Sequence, residues 1–397
     1  MEKQENIIAT YQQIIQETEQ QLQKARKRIR YISLLRLILF VEAVASAIIF
    51  WSDGWLKLIV LTVLPIIAFI WLVQSHNRWF YWKDYLKKKI EINQQELRAL
   101  QYDFSDFDNG KEYIDPSHLY TFDLDIFGEH SLFQYINRTS TPIGKQRLAN
   151  WFNAHLEEKE AIEQRQEAIR ELSSELEFRQ QFRLLGLLYK GKPSDTSEIK
   201  EWVNSPSDYR KHAFLRILPT AVGIINLLCI GATILGFLPA SISGIIFACF
   251  VVFSFIFSKG ITKIQATYGE KLQILSTYAD QILITEKKEM HSPALQQLKA
   301  ELTSRNQTAS QSVHRLAKLM NALDQRGNLL MSTILNGLLF WELRQVMQIE
   351  KWKEAHSADL PRWIEAIGAI DAYCSLATFS YNHPDYIYPT IAAQSFH

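Results

Sequence analysis

Cysteine is scarce in this chain. Only Cys229, Cys249 and Cys374 occur among 397 residues, too few for a disulfide framework, and two of them lie in apolar runs where a thiol acts as a small hydrophobe. A disulfide-stapled secreted protein is excluded. Excess charge is missing too: Lys plus Arg number 43 and Asp plus Glu 42, a formal net charge of +1. The whole molecule therefore has no pull on nucleic acid or any other polyanion, and such a surface would have to be local. Sustained two-residue alternation is absent outside the most apolar stretches, which predicts little sheet. The ten histidines, among them His130, His155, His291, His314 and His356, show no zinc-ligand spacing with carboxylate or thiolate partners. Asp103, Asp106 and Asp108 alternate like calcium ligands ahead of Gly110, but Glu112 comes too early to close such a loop. Serine and cysteine nucleophiles lack an elbow or a paired base. No residue is assigned to catalysis, cofactor binding or metal ligation, and this chain alone is expected not to be an enzyme.

What the chain has is apolar length. Hydrophobic residues make up 47% and charged ones 21%, which excludes disorder as a description of the whole. Its size suits two or three compact units. Residues 31–51 carry only Arg36 and Glu42 as charges, 54–74 only Lys57, 213–237 only Arg216, and 239–258 none. Each run is about 20 residues, the length a helix needs to cross roughly 30 Å of hydrocarbon. Short links join them in two pairs, so each pair is a hairpin that leaves the bilayer where it entered. Lys24, Arg26, Lys27, Arg28 and Arg30 precede the first pair, and Arg78, Lys83, Lys87, Lys88 and Lys89 follow it. Arg210 and Lys211 precede the second pair, and Lys259 and Lys263 follow it. Basic flanks predict that both termini and all large soluble regions are cytoplasmic. The first run follows a polar helical stretch and lacks a cleavage site, so it reads as a retained span. Trp51, Trp55, Trp71, Trp79 and Trp82 fall near the expected interfaces. Glu42 lies mid-span. Beside Ala43 and Ala47 it is expected to face the partner helix, since the spans hold no chain of polar groups for a relay.

Outside the apolar runs the pattern is helical. Ile7, Ile8, Tyr11, Ile14, Ile15 and Leu22 form one stripe before the first hairpin, and Trp82, Tyr85, Leu86, Ile90, Leu97 and Leu100 another after it. These two stripes are predicted to pack as an antiparallel stalk continuous with the spans. Residues 102–128 are rich in Asp, Gly and Pro and predict a loop-rich approach to a new domain. Thr141-Pro142 reads as a helix start, a capping hydroxyl followed by proline in the first turn. Two long helical patterns, 264–302 and 310–353, flank a polar turn at 303–308. Lys299, Arg305, His314, Arg315 and Lys318 make that end mildly basic, but Glu301 dilutes the patch and no aromatics interleave for base stacking.

Three blocks of residues carry a resemblance. Asp123-Leu124-Asp125-Ile126-Phe127-Gly128, then Ser131-Leu132-Phe133, then Asn137-Arg138-Thr139-Ser140-Thr141-Pro142-Ile143-Gly144-Lys145-Gln146-Arg147-Leu148 form the first. Ile162-Glu163-Gln164-Arg165-Gln166-Glu167-Ala168-Ile169 is the second. Ala369-Ile370-Asp371-Ala372-Tyr373-Cys374-Ser375-Leu376-Ala377 with Pro384-Asp385-Tyr386-Ile387-Tyr388-Pro389 is the third. In this order they resemble the core and lever region of MutS mismatch-repair proteins, over roughly residues 120–392. The resemblance implies a mismatch-repair or related DNA transaction, with ATP and Mg2+ held by a C-terminal ATPase domain and a homodimer where that domain is present.

The departures from that family are specific. None of the 15 glycines opens the Gly-x-x-x-x-Gly-Lys-Ser/Thr loop that cradles phosphates. The sequence thus reads as a piece of a longer protein or as a member without its engine. The Phe-x-Glu triplets at Phe40-Val41-Glu42 and Phe127-Gly128-Glu129 fall in a span and in a helix approach, and neither reads as a mismatch wedge. The 303–308 tip has no room for a DNA clamp, so no DNA-binding residue is assigned.

The expectation is an all-α protein with two transmembrane hairpins and a MutS core/lever-like body containing a long antiparallel helix pair. Its segments are a cytoplasmic helix 1–30, hairpin 31–74, a pairing helix 75–101, a first core part 102–212, hairpin 213–258, a lever-like pair 259–353 and a second core part 354–397. Its expected partners are the lipid bilayer of the inner membrane, DNA, and a second copy when the ATPase is present. The rival reading is a membrane-tethered helical scaffold or adaptor without DNA or ATP. A transporter fits poorly with four spans that hold few polar residues.

Overall fold

The computed structural model describes residues 2–49, 55–188, 195–272, 274–303, 308–324 and 329–392. Among them the chain is helical with no named strand; an isolated bridge joins Thr303 to Thr308. It divides into two compact units, one of Met1–Asn137 with Phe379–Ile387, the other of Arg138–Thr378 with Tyr388–His397.

In the first unit α1 (Glu2–Ile49) and α2 (Trp55–Ala99) are long helices that lie along each other in opposite directions. Phe40 meets Phe69, the Arg28 guanidinium lies 4.8 Å over the Trp79 ring, and Leu22 and Ala25 pack with Leu86. Ala25 is fully buried and Leu86 1% exposed, so the seam is tight where a small residue admits the facing helix. Farther along, the buried Asn382 joins the two helices: its carbonyl accepts the Tyr11 hydroxyl at 2.8 Å and its amide donates to Glu96 at 2.9 Å. Glu42, expected against α2, is instead exposed, and the buried neighbour Ala43 takes the contact. One residue is about 100° around a helix, so only one of such a pair can face the partner. The stretch after α2 is loop-rich, with one 3-10 turn at Lys111–Tyr113, before the short α3 (Leu132–Ile136), whose first turn is capped by Ser131.

The second unit starts with α4 (Pro142–Asn153), α5 (Lys159–Ser173), α6 (Leu176–Leu188) and α7 (Asp195–Asn204). Next come the apolar α8 (Ala213–Ile234) and α9 (Ala240–Leu272). Then follow α10 (Ile274–Lys287), α11 (Pro293–Glu301), α12 (Ala309–Asp324), α13 (Leu329–Leu339), α14 (Trp341–His356) and α15 (Asp359–Asn382), the last turn of α15 belonging to the first unit. Leu172, Phe182, Tyr278, Val313, Trp363 and Ile367 sit in one continuous core drawn from α5, α6, α10, α12 and α15. The Trp352 indole reaches that core from α14 and donates to the Ser312 carbonyl at 2.8 Å, which satisfies its one polar atom.

The antiparallel pair appears as α10 and α12, with Glu286 accepting from the Ser310 backbone and hydroxyl and Asp280 facing His314. Both expected long patterns are shorter than their periodicity suggests. The first stops after Lys287 and restarts at Ser292-Pro293, where the residue before proline is extended (φ −66°, ψ 141°) and Pro293 has no N–H to continue a helix. The second breaks at Phe340, which adopts the left-handed conformation (φ 48°, ψ 47°). Of the 303–308 turn, residues 304–307 lie outside the described residues.

Among the described residues two helical stretches are long and apolar enough to cross a membrane, Ala213–Ile234 and Ala240–Phe257, with 17% and 0% of their most apolar 18 residues buried within the chain. The link between the other two expected spans, at 50–54, lies outside the described residues. The described part of α1 beyond residue 31 exposes Leu34, Leu37, Ile38, Phe40, Val41 and Ile48.

The α1–α2 seam makes a direct prediction. Leu86→Ala, which empties a fully packed site, should destabilise the first unit by about 2–5 kcal/mol. Lys87→Ala, one residue on and exposed, should change it by less than about 0.5 kcal/mol. Urea unfolding of both variants in detergent, followed by helical circular dichroism, checks the contrast.

Candidate functional site

Residue 371 is an aspartate inside the apolar α15, and the residues around it explain why. Arg138–Thr141 approach α4 as an extended strand of chain, and an N-terminal helix turn always leaves backbone N–H groups without partners. Thr141 caps α4, its hydroxyl accepting from the Gly144 N–H at 3.0 Å. The same hydroxyl donates to the Asp371 carboxylate at 2.7 Å, and the Thr141 N–H donates to it at 2.8 Å. Ser140 adds its own N–H at 3.0 Å and its hydroxyl at 3.2 Å. Four donors from two consecutive residues thus converge on one buried carboxylate. Arg138 extends the contact, its N–H donating to the Ser375 hydroxyl at 2.8 Å, one helical turn beyond Asp371 on α15.

Small residues make room for this arrangement. A Cβ on Gly144 would overlap the Asp371 carboxylate, one on Gly186 of α6 would overlap the Ser140 hydroxyl, and one on Gly368 would press against Ile143. Gln281 of α10 donates to the Phe182 carbonyl at 3.1 Å and lies 3.4 Å from the Ser140 hydroxyl. Four helices, α4, α6, α10 and α15, therefore meet at residues 140–144 and 371. Burial pushes Asp371 up to about 6, against the pull of the Thr141 and Ser140 donors towards the ionised form. Burial also raises the Cys374 thiol well above its ordinary value, which keeps it in the uncharged form.

Around the hub lie further fixed charges. Glu365, one and a half turns before Asp371 on α15, pairs with Arg147 of α4 and Lys200 of α7, each at 2.5 Å. Burial works against its ionisation, but Lys200 and Arg147 outweigh it and hold the carboxyl below its usual range. Arg179 is buried and donates to the Leu172 and Ser173 carbonyls and to the Thr378 hydroxyl, tying α6 to α5 and α15. Arg165 lies 4.3 Å over Trp151, which packs edge-on to Tyr373.

The arrangement joins the turn before α4 to α15 through one carboxylate. The Asp371 carboxylate takes the Ser140 and Thr141 N–H groups just ahead of α4, while the Thr141 hydroxyl takes that of Gly144.

The other residues singled out from sequence lie apart from this hub. Asp103 accepts from Ser105, Asp106 pairs with Arg98, and Asp108 accepts from the Gly110 N–H, so each of these carboxylates is committed to a local partner. His314 faces Asp280 at 3.4 Å, and Lys299 donates to the Lys288 carbonyl. Arg315 and Lys318 are exposed on α12, and Arg305 lies outside the described residues. His356 packs on Trp352 and Trp363, while His291 is exposed and its N–H donates to Glu171. Sequence reading placed Thr141 as a cap but missed Asp371 as its partner. The available signal was a lone carboxylate on the apolar face of α15, which a helix buries only when donors await it.

Two variants test the hub. Asp371→Ala leaves the Ser140 and Thr141 N–H groups without an acceptor, at about 1–3 kcal/mol each, and should lower the thermal midpoint markedly. A carboxyl that ionises near pH 4 when unfolded and near 6 in the fold contributes less stability as pH rises through that window, because the unfolded state releases its proton first. Asp371→Asn should abolish this slope between pH 4 and 6, measured as midpoint against pH for both proteins.

Comparison with known families agrees with this geography. A family model described as MutS domain III matches residues 118–377, about two thirds of the chain. Comparison with curated proteins and with solved structures finds no match. The matched stretch opens before α3, includes the whole 137–148 block and runs through α15 past Ser375. It stops short of Pro384–Pro389, which the sequence resemblance had included. Both halves of the Asp371 hub fall inside it, and on that ground this chain belongs to the MutS family, through its domain III.

Proposed function

We propose that this chain is the membrane-anchored core of a MutS-like machine, a helical relay between a nucleotide-driven module and DNA at the inner face of a membrane. The observation that carries this reading is the Asp371 hub. It clamps the turn before α4 to α15 through one carboxylate, so displacement of α15 has to move the start of α4 or break four hydrogen bonds together. Such a coupling element suits a part that transmits movement rather than one that makes bonds. Nucleotide chemistry, in this reading, belongs to a module outside these 397 residues, in line with the lack of a Gly-x-x-x-x-Gly-Lys-Ser/Thr loop among them. Anchoring is supported by the two apolar stretches of α8 and α9 and by the basic residues that flank them, Arg210 and Lys211 before and Lys259 and Lys263 after.

Hydrolysis by the complete gene product, measured with and without duplex DNA, is the direct test. DNA-stimulated ATP hydrolysis is expected, together with a nucleotide-dependent change in amide exchange at residues 138–144 and 367–378. Absence of hydrolysis with unchanged exchange would replace the relay by a tethered scaffold.

A further inference from the structure

The 310–353 region was expected to lie wholly in the cytoplasm, yet its middle is packed against the centres of the two apolar helices. Asn226 lies thirteen residues after Ala213 on α8, about 20 Å along the helix axis. Its buried amide donates to the Gly337 and Leu338 carbonyls at 3.0 and 3.1 Å. Those carbonyls belong to the last turn of α13, where a helix has no internal partner for them. Gly337 also faces Phe247 and Val251 so closely that a Cβ there would overlap both, and these lie near the middle of the Ala240–Phe257 stretch. The end of α13 is thus level with the midpoints of α8 and α9.

After this contact the chain turns back. Phe340, in its left-handed conformation, packs among Phe250, Phe253 and Phe257 of α9. Leu343 and Met347 then follow α8 back past Val222, and Glu350 accepts the N–H groups of Asp208, Tyr209 and Arg210 just before α8 begins. Contacts across the turn close it: Glu342 accepts the Ser332 hydroxyl at 2.8 Å, and its N–H donates to Asn336 at 3.0 Å. α13 and α14 are therefore a helical hairpin whose tip reaches halfway along the two apolar helices.

We propose that this hairpin is re-entrant: α13 and the Phe340 turn sit in the hydrocarbon layer beside α8 and α9, with the outer side of α13 in contact with lipid acyl chains. The proposal rests on the anchored reading above. Composition favours that occupant. α13 reads Leu-Leu-Met-Ser-Thr-Ile-Leu-Asn-Gly-Leu-Leu without a charge, and Ile334 on its surface is 49% exposed. At the tip the Gly337 and Leu338 carbonyls, the Asn336 side-chain carbonyl and the Glu342 N–H are internally paired, as a lipid environment requires of backbone that departs from a continuous helix. Asn226, a polar residue inside an apolar helix, has its use here: it donates to two carbonyls of the last turn of α13.

The test is a depth measurement on the whole chain in liposomes. Nitroxide labels are placed singly at Ile334→Cys, Val252→Cys and Gln297→Cys in a Cys229→Ala, Cys249→Ala background, with the buried Cys374 left in place. All three positions are exposed, so labelling should leave the fold intact. Collision rates with oxygen, which concentrates in hydrocarbon, and with a water-soluble nickel chelate are compared by electron paramagnetic resonance. The expected result is an oxygen-to-nickel ratio at Ile334 matching that at Val252 and several-fold above that at Gln297. If Val252 reads as lipid while Ile334 reads like Gln297, the hairpin is outside the bilayer and this proposal fails alone. If Val252 itself reads like Gln297, the anchored reading fails and takes the hairpin with it.

Discussion

One buried carboxylate organises the family domain. A charge in an apolar interior is tolerated only where donors replace the water it gives up, and Asp371 finds four of them on Ser140 and Thr141. The bonds also settle the helix that follows, because Thr141 is both an Asp371 donor and the cap of α4. Removing any member strands the others. Glycines at 144, 186 and 368 then have a common explanation, since each lies where a side chain would push the helices at the hub apart. A second carboxylate, Glu350, does comparable work at the start of α8 by accepting three consecutive N–H groups.

Much of this was legible in the sequence because its signals are local. The Thr141-Pro142 start and the loop-rich stretch between α2 and α3 follow from a hydroxyl, a proline and the absence of helical period. The pairing of α1 with α2 followed from two stripes joined by a short link. What stayed hidden depends on partners far along the chain. Asp371 lies 230 residues from Thr141, and nothing near either position indicates the other. Periodicity ran straight through 264–302 and 310–353, yet the helices end at Ser292-Pro293 and Phe340. The proline signal was readable. Left-handed phenylalanine was not, since no residue type near it demands that conformation and only packing among Phe250, Phe253 and Phe257 accounts for it. Glu42 shows the finer limit: its small neighbours and the lack of a polar relay assigned it to the partner helix, yet the buried residue is Ala43, one position on.

The apolar segments also take on more than one role. α8 and α9 present exposed aliphatic surface along most of their length, and they also provide the wall against which α13 ends. Asn226 is the point where these two roles meet, for it faces inward and leaves the outer surface apolar. A helix can thus be part of the protein core on one side and bounded by something apolar on the other, without any charged residue in its middle.

The Tyr11–Asn382–Glu96 bridge has a consequence for biosynthesis. Asn382 lies 371 residues after Tyr11, so the seam between α1 and α2 cannot acquire its last hydrogen bonds until residue 382 has left the ribosome. Contacts of such sequence separation form late, because a long loop must close before they give any return. Until then the N-terminal helices exist as a half-finished pair that lacks the Asn382 bridge between Tyr11 and Glu96.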